Sequence, residues 1–408
     1  MKVAVLAESR PGERRVAIVP GTLRELSKAG VEVTVVRGAG VAAGFPDREY
    51  EEAGAALAPD AGSALRGAHV VVKVQPPTDE ELRALPRGGV LVSLMNPLGD
   101  VEAVRRAADA GLTCFALELI PRTTRAQSMD VLSSQATVAG YKAALMGADH
   151  LPKLLPMLMT AAGTIRPGKV LVLGAGVAGL QAIATARRLG AKVEAFDVRP
   201  AVKEQVQSLG ATFLETEHEV AAEGEGGYAK ELSEEQHRKE LELIAGAVVD
   251  ADVVITTAQI PGRPAPVLIT EAMLDTMRPG SVVVDLASET GGNCEATRMG
   301  ETVERNGVKV LGPVNLPATV PYHASQMFSK NVATFLKELL DEGELALDFD
   351  NDVVGPTCLV HGGEVRNARV RDALGLGPPP EASAPPPGPA EGAADATTGT
   401  GTTPPPTS

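Results

Sequence analysis

The sequence predicts an α/β protein of two Rossmann-like parallel-sheet domains with a cleft between them, the second carrying a glycine fingerprint. Three observations lead there. Short apolar runs alternate with helical stretches from the N-terminus through residue 117, and no hairpin signal separates them. Residues 169–197, KVLVLGAGVAGLQAIATARRLGAKVEAFD, read as strand, tight turn, helix and strand. The chain's 408 residues suffice for two separate cores.

In the fingerprint, Gly174, Gly176 and Gly179 take the G-x-G-x-x-G spacing. Each meets a different need: Gly174 permits the turn, Gly176 lets a pyrophosphate approach the backbone, and Gly179 lets the helix press on the strand. The helix N-terminus then offers unpaired N–H groups and a partial positive charge to the phosphates. Asp197 closes the second apolar run, where a carboxylate accepts hydrogen bonds from both adenosine ribose hydroxyls and repels a 2'-phosphate. Strand, helix, second strand and acid agree, so the unit reads as an NAD fingerprint rather than a structural glycine turn. The cofactor-binding candidates here are Gly174, Ala175, Gly176, Val177, Ala178 and Gly179, followed by Asp197, Val198 and Arg199. Arg199 is the residue here that would favour NADP, by pairing with a 2'-phosphate.

Taken in order, residues 1–8 read as a strand before a charged turn. Thr22 with Glu25 reads as a capping box for a helix to residue 29, and 31–36 as the next strand. Residues 46–56 look helical, 69–74 form a strand, and Thr78 with Glu81 caps another helix. A strand over 89–95, a helix over 100–110 and a strand over 112–117 complete a parallel unit without a glycine-rich phosphate loop of its own. Beyond the fingerprint come a helix over 200–209 and a strand over 211–214. An acidic stretch of lid length begins at residue 215 and runs into a helix over 234–249. Then follow a buried strand (253–257), a stiff turn (258–266), a helix (270–277) and strands over 281–287 and 308–311. Ligands of parallel sheets sit outside the carboxyl ends of the strands, so Ala258, Gln259 and Ile260 should line the cofactor cleft.

Residues 322–341 read as a long amphipathic helix, with Met327, Val332, Phe335, Leu336 and Leu339 at helical spacing, packing back onto the first unit. The expected organisation is a discontinuous first domain (1–130 and 322–372), an NAD(H)-binding Rossmann domain (131–321) and a Pro-rich tail (376–408). That tail has almost no large apolar residue, so burial cannot offset its ordering entropy and disorder is expected.

Composition narrows the function. A net charge of −14 repels nucleic acid phosphates. Cys114, Cys294 and Cys358 are scattered, with no C-x-x-C pair, and the six histidines are equally dispersed, so reduced thiols and no metal are expected. The N-terminus is charged too soon for a signal peptide. The most apolar run, 170–186, carries three glycines and a Gln and ends in Arg187 and Arg188. No other run reaches the roughly 20 apolar residues that spanning needs. A soluble, cytoplasmic protein that meets a membrane only through partners is expected.

Residues 122–135, RTTRAQSMDVLSSQ, read most plainly as a surface loop with a helix cap. A loop between two α/β units also faces the cleft, where Arg122, Gln127, Asp130 and Ser133 would reach one side of a nicotinamide.

The stretch IPRTTRAQSMDVLSSQATVAGY closely resembles the nucleotide-binding loop of the NAD(H)-binding component of proton-translocating nicotinamide nucleotide transhydrogenase. The resemblance continues through GAGVAGLQA, FDVRPAVKEQVQSLGA, GYAKELS, TTAQIPGRPAPVLIT and SVVVDLASETGGNCE, over roughly residues 1–372. It implies that Arg122, Gln127 and Asp130 are the catalytic trio positioning the nicotinamide rings, supported by Met129 and Ser133. It also implies that Asp197 holds the adenosine ribose and that Gly227 and Tyr228 lie on a mobile loop closing over NAD(H). The implied reaction is hydride transfer from NADH to NADP+ on a partner subunit, coupled to proton translocation. The implied assembly is a homodimer with NADP(H)-binding and membrane-spanning subunits, peripheral at the cytoplasmic face of the inner membrane.

Alanine dehydrogenases share this fold and use a Lys and a His of the first domain on a keto acid. Lys73, in VVKVQPP, matches the lysine; Asn96, in LVSLMNPLG, stands near the place of the histidine and cannot exchange a proton near neutral pH. The loss is coherent, because hydride passing between two nicotinamides needs placement and exclusion of water rather than an acid or base. Two alternatives remain: a stand-alone amino-acid dehydrogenase of the alanine type, and a non-catalytic NAD(H)-sensing module whose acidic loop and Pro-rich tail engage a partner.

Overall fold

The computed structural model of the protein describes residues 1–215, 234–260 and 262–377. Six short strands open the chain with helices between them: β1 (Lys2–Val5), α1 (Pro20–Lys28), β2 (Glu32–Val36), α2 (Asp47–Glu52), β3 (Ala56–Ala58), α3 (Ala61–Leu65), β4 (Val70–Val72), α4 (Asp79–Ala84), β5 (Val90–Ser93), α5 (Val101–Asp109) and β6 (Thr113–Ala116). The long α6 (Val131–His150) leads to a small antiparallel hairpin, β7 (Leu158–Thr160) and β8 (Gly163–Ile165). The second sheet follows with β9 (Lys169–Leu173), α7 (Val177–Arg188), β10 (Lys192–Phe196), α8 (Lys203–Ser208), β11 (Thr212–Phe213), α9 (Glu234–Val248), β12 (Val253–Thr256), α10 (Glu271–Leu274), β13 (Val282–Asp285), β14 (Thr302–Arg305) and β15 (Val308–Leu311). The chain returns through α11 (Pro321–Glu338), β16 (Leu340–Asp341), β17 (Glu344–Leu345), α12 (Val354–Thr357), β18 (Cys358–His361), β19 (Glu364–Val365) and α13 (Ala368–Ala373).

Two sheets result. The first runs β19-β18-β6-β5-β4-β1-β2-β3 and the second β11-β10-β9-β12-β13-β15-β14. The second shows why valine-rich strands suit a sheet covered on both sides. Val170 and Val172 of β9, Val253 and Ile255 of β12, and Val282 and Val284 of β13 enter one core; the alternate residues Leu171, Leu173, Val254 and Val283 enter the other. Strand order reverses between β1 and β4 in the first sheet and between β9 and β12 in the second, and such switch points are where α/β sheets bind ligands.

Helix α11 packs onto the first unit through Phe328, Val332, Phe335 and Leu336, and its Ser325 and Ser329 hydroxyls accept the Val16 and Val19 amides at 3.0 Å each. This contact overturns the capping box expected at Thr22 and Glu25. Helix α1 begins at Pro20, whose fixed φ suits the first helical position, with Val19 as its cap. Thr22 donates instead to the Val19 carbonyl (2.9 Å) and meets Ser329 (2.7 Å), while Glu25 is drawn to Lys330 and Lys337 of α11. The second expected box forms: Glu81 N donates to Thr78 Oγ1 (3.3 Å) and Thr78 N to the Glu81 carboxylate (2.7 Å).

Other boundaries differ. The helix read over 46–56 stops at Glu52, and β3 uses the residues after it as an edge strand. The helix read over 270–277 is the single turn of α10, capped by Thr270. Helix α6 starts at Val131, so Ser133 and Gln135 lie on it rather than in a loop. The sheets are not wholly parallel: β18 joins β6 antiparallel, and β14 pairs antiparallel with β15 across Asn306-Gly307, both at positive φ (50° and 78°) as a two-residue hairpin turn requires.

Candidate functional site

At the second switch point the backbone itself forms the cradle. Gly174 has φ +93°, and a Cβ there would lie 2.5 Å from Thr257 Oγ1, which donates to the Gly174 carbonyl at 3.0 Å. A Cβ on Gly179 would lie 1.9 Å from that same carbonyl oxygen, so α7 rests directly on the turn. Gly176 differs: the nearest atom to its missing Cβ is Arg199 Nη2 at 3.9 Å, which leaves space over the helix start. Gly176 is the N-cap of α7 and has no side chain to cover the amides of the first turn, where Val177 is exposed. These residues fit a pyrophosphate by shape and by dipole.

Helix α6 crosses α7 backbone to backbone, since a Cβ on Gly140 would meet the Ala178 carbonyl oxygen at 2.0 Å. Asp130, ten residues before Gly140, is then about 15 Å along the α6 axis from that crossing. Asp130 caps α6, accepting from the Ser133 amide (2.9 Å) and the Ser133 hydroxyl, so these two predicted residues are in direct contact. Gln127–Met129 is a 3-10 turn in which Met129 is 2% exposed and Gln127 faces outward, with Arg122 also exposed ahead of it. The turn is fastened from behind: Asn331 donates to the Ser128 carbonyl (2.8 Å), and Arg125 pairs with Glu338 and Asp352.

Asp197 is 9% exposed and fully engaged. It accepts from the Ala175 amide (2.7 Å), from the Arg199 amide (2.9 Å), and from Arg199 Nε and Nη2 (2.9 and 2.7 Å). The arginine that could have favoured NADP is thus held by the neighbouring acid, and a ribose would have to take its place. Glu240 of α9 is raised above the usual carboxylate range, by burial first and also by the charge of Asp197, against a hydrogen bond with His237.

Ala258, Gln259 and Ile260 follow β12, beside Gly174. Asn293 holds Ala258 by both its backbone groups, and the Gln259 side chain donates to the Leu286 carbonyl (3.1 Å). Val198 packs against the second sheet's core. A Cβ on Gly262 would lie 2.8 Å from Leu98, so the loops after β12 and β5 approach each other across the cleft. Gly227 and Tyr228 lie outside the described residues.

The first switch point is filled by side chains. Lys73, fully buried, places Nζ 2.6 Å from Glu81 and 3.8 Å from Glu8, and Glu8 also accepts the Val74 and Gln75 amides (2.6 and 3.2 Å). Burial pushes Glu8 up to about 7 against the lowering effects of Lys73 and the two amides. Asn96, exposed at φ 47°, donates its amide to Glu118 at 2.7 Å.

Sequence reasoning missed a buried cluster that joins the two sheets. Arg15 is bidentate to Glu13 (2.9 and 2.7 Å) and donates to Gln135 of α6 (2.8 Å) and to Asn315 beyond β15 (3.0 Å). Gln75 and Asn315 also donate to Glu13, at 2.8 and 2.9 Å. Burial raises Glu13, but the Arg15 hydrogen bonds and charge, with Asn315 and Gln75, outweigh it and bring the carboxyl to about 2. Glu13 and Arg15 are two residues apart, but their other partners lie 62 to 302 residues away, and no motif marks them.

Fold and site together define a dinucleotide-binding protein of two α/β domains facing a cleft. Models of the "Alanine dehydrogenase/PNT" N-terminal and C-terminal domains match residues 4–139 and 143–368, and the chain belongs to that family. It is 46% identical over 374 residues to an NAD(P) transhydrogenase alpha-subunit chain of Rhodospirillum rubrum, covering 90% of this chain and 97% of that one. It is 30% identical over 383 residues to alanine dehydrogenase of Bacillus subtilis, covering 92% and 95%. The solved structure of a transhydrogenase from Sinorhizobium meliloti superposes with a TM-score of 0.79 at 45% identity, covering 90% of this chain and all of that one. An L-alanine dehydrogenase structure gives 0.79 at 28% identity, covering 92% and 99%. Among the described residues no helix is long and apolar enough to cross a membrane.

Proposed function

We propose that this protein is the NAD(H)-binding subunit of a proton-translocating NAD(P) transhydrogenase, passing hydride from NADH to NADP+ held on a partner subunit. The observation that carries the reading is the state of Lys73. The ammonium that an alanine-type dehydrogenase would turn to a keto acid is instead held by Glu81 and Glu8, and Asn96 supplies no exchangeable proton in its place. The relatives named as transhydrogenase subunits support the same reading over nine-tenths of the chain.

Bound NADH supplies the hydride from C4 of its nicotinamide; the chain's own residues bind, place and shield. The cradle of residues 174–179 and the wall of Ala258, Gln259 and Ile260 hold the dinucleotide, and Asp197 takes the adenosine ribose once the Arg199 side chain yields. Arg122, Gln127 and Asp130 set the ring on a turn that Met129 and Asn331 keep rigid and Ser133 orients. Gly227 and Tyr228, outside the described residues, complete the set that binds the cofactor. In this reading residues 1–130 and 322–372 form one domain and 131–321 the other. The chain pairs with a second copy and reaches the cytoplasmic face of the inner membrane through its NADP(H)-binding and membrane-spanning partners.

The test mixes the purified chain with an NADP(H)-binding transhydrogenase subunit and follows exchange between NADH and an NADP analogue. Exchange is expected; none, with both nucleotides shown to be bound, removes the reading. The likeness to alanine dehydrogenases supports a second reading, for which pyruvate- and ammonia-dependent NADH oxidation by the chain alone is the test, and none is expected.

A further inference from the structure

We infer that Asn293 is the positioning residue that sets the dinucleotide wall after β12, an inference resting on the reading of residues 258–260 as that wall. Asn293 follows β13, is 0% exposed, and reaches 35 residues back along the chain. Its Oδ1 accepts from the Ala258 amide at 3.0 Å; its Nδ2 donates to the Ala258 carbonyl at 2.9 Å and the Pro266 carbonyl at 2.8 Å. Both amide protons and the carbonyl oxygen are therefore used, all of them on the segment facing the cleft. Holding the N–H and the C=O of one residue fixes the peptide planes on both sides of it.

The asparagine is itself held. Its backbone N–H donates to Asp285 (2.7 Å), a buried carboxylate that also accepts from Thr256 Oγ1 (2.9 Å), the Ala287 and Cys294 amides (2.9 and 3.1 Å) and Thr297 Oγ1 (2.6 Å). On the other side of the wall, Thr257 Oγ1 donates to the Gly174 carbonyl at 3.0 Å. A continuous set of bonds thus runs from Asp285 through Asn293 and Ala258 to the first glycine of the cradle. Its effect is to set the height of the wall over the turn that receives the pyrophosphate. Removing Asn293 should loosen binding of the dinucleotide itself, in distinction from Gln127, which acts on ring placement.

The test is fluorescence titration of the whole chain with NADH, beside a thermal melt of each variant. Asn293→Ala should weaken NADH binding about tenfold at a temperature well below its melting point. Asn293→Asp keeps the shape and the acceptor but loses both donors. Its affinity relative to wild type at the same pH should be poor near pH 8 and recover partially as the pH falls, because a protonated carboxyl regains one donor. Leu274→Ala, in the core on one face of this sheet and with no bond to Asn293, should lower the melting point with NADH affinity kept within twofold. NADH affinity within twofold of wild type in both Asn293 variants overturns the inference, as does equal weakening in Leu274→Ala. Failure of the wild-type chain to bind NADH at all brings down the cofactor reading, and the inference with it.

Discussion

Glu8 faces Lys73 at 3.8 Å where the strand order of the first sheet reverses, with Glu81 on the same ammonium at 2.6 Å. Two carboxylates thus share one buried cation. Burial lifts Glu8 from 4.5 in the unfolded chain to about 7 in the folded one. Between those values the native state holds a proton that the unfolded state has lost. The stabilisation from Glu8 is therefore fully present at low pH and declines as the pH rises through about 7, by at most about 3 kcal/mol. Glu13, held at about 2, acts with the opposite sign but only at more acid pH. Glu8→Gln leaves Lys73 paired with Glu81, so its melting temperature should vary less between about pH 5 and 8 and exceed that of wild type at the upper end. Melts across that range check it; an unchanged slope contradicts the assignment.

Gln127 sits on a turn fixed by Asn331 and by the Arg125 ion pairs, so its side chain rather than the backbone is the adjustable element. Gln127→Asn shortens the reach by one methylene. Hydride exchange with the NADP(H)-bearing partner should slow about tenfold while NADH affinity stays within twofold, since a small misplacement acts on the reaction more than on adenosine binding. Exchange at the wild-type rate would remove Gln127 from the mechanism.

Asp197→Asn preserves shape and removes charge. NADH should bind about tenfold more weakly, through loss of charge-assisted bonds to the ribose. Discrimination against NADPH should shrink, because repulsion of the 2'-phosphate goes with the charge. Separate titrations with NADH and NADPH measure both, and retained discrimination would assign nucleotide choice elsewhere.

Two glycines of the cradle make a contrast. Gly179→Ala drives a methyl to 1.9 Å from the Gly174 carbonyl, so α7 must lift from the turn; about 1–3 kcal/mol of stability and NADH binding should both be lost. Gly176→Ala has open space, so melting should be unchanged and only NADH binding weakened. Equal melting losses in both would mean that Gly176 serves packing alone.

What could be read in advance followed from how local the constraint is. The fingerprint is carried by local strand-turn-helix spacing, with Gly179 resting on the carbonyl of Gly174 within the same turn, and Thr78 with Glu81 completes its box within one turn. Thr22 and Glu25 carry the same pattern, yet they are claimed by Ser329, Lys330 and Lys337 on α11, about 300 residues later. Asn306-Gly307 makes the tight turn of the β14–β15 hairpin, yet β14 has too few apolar residues to carry a strand pattern in sequence. The Arg15 cluster and Asn293 depend on side-chain bonds to partners as far as 27 to 302 residues distant, which periodicity and spacing cannot reveal.

In the proposed function the chain presents one nicotinamide to another and does no acid or base work of its own. NADH deuterated at the transferred C4 position, mixed with the chain and NADP+ on its partner subunit in ordinary water, tests it most directly. The deuterium is expected in the NADPH that forms. Unlabelled NADPH with the deuterium released to solvent would contradict it.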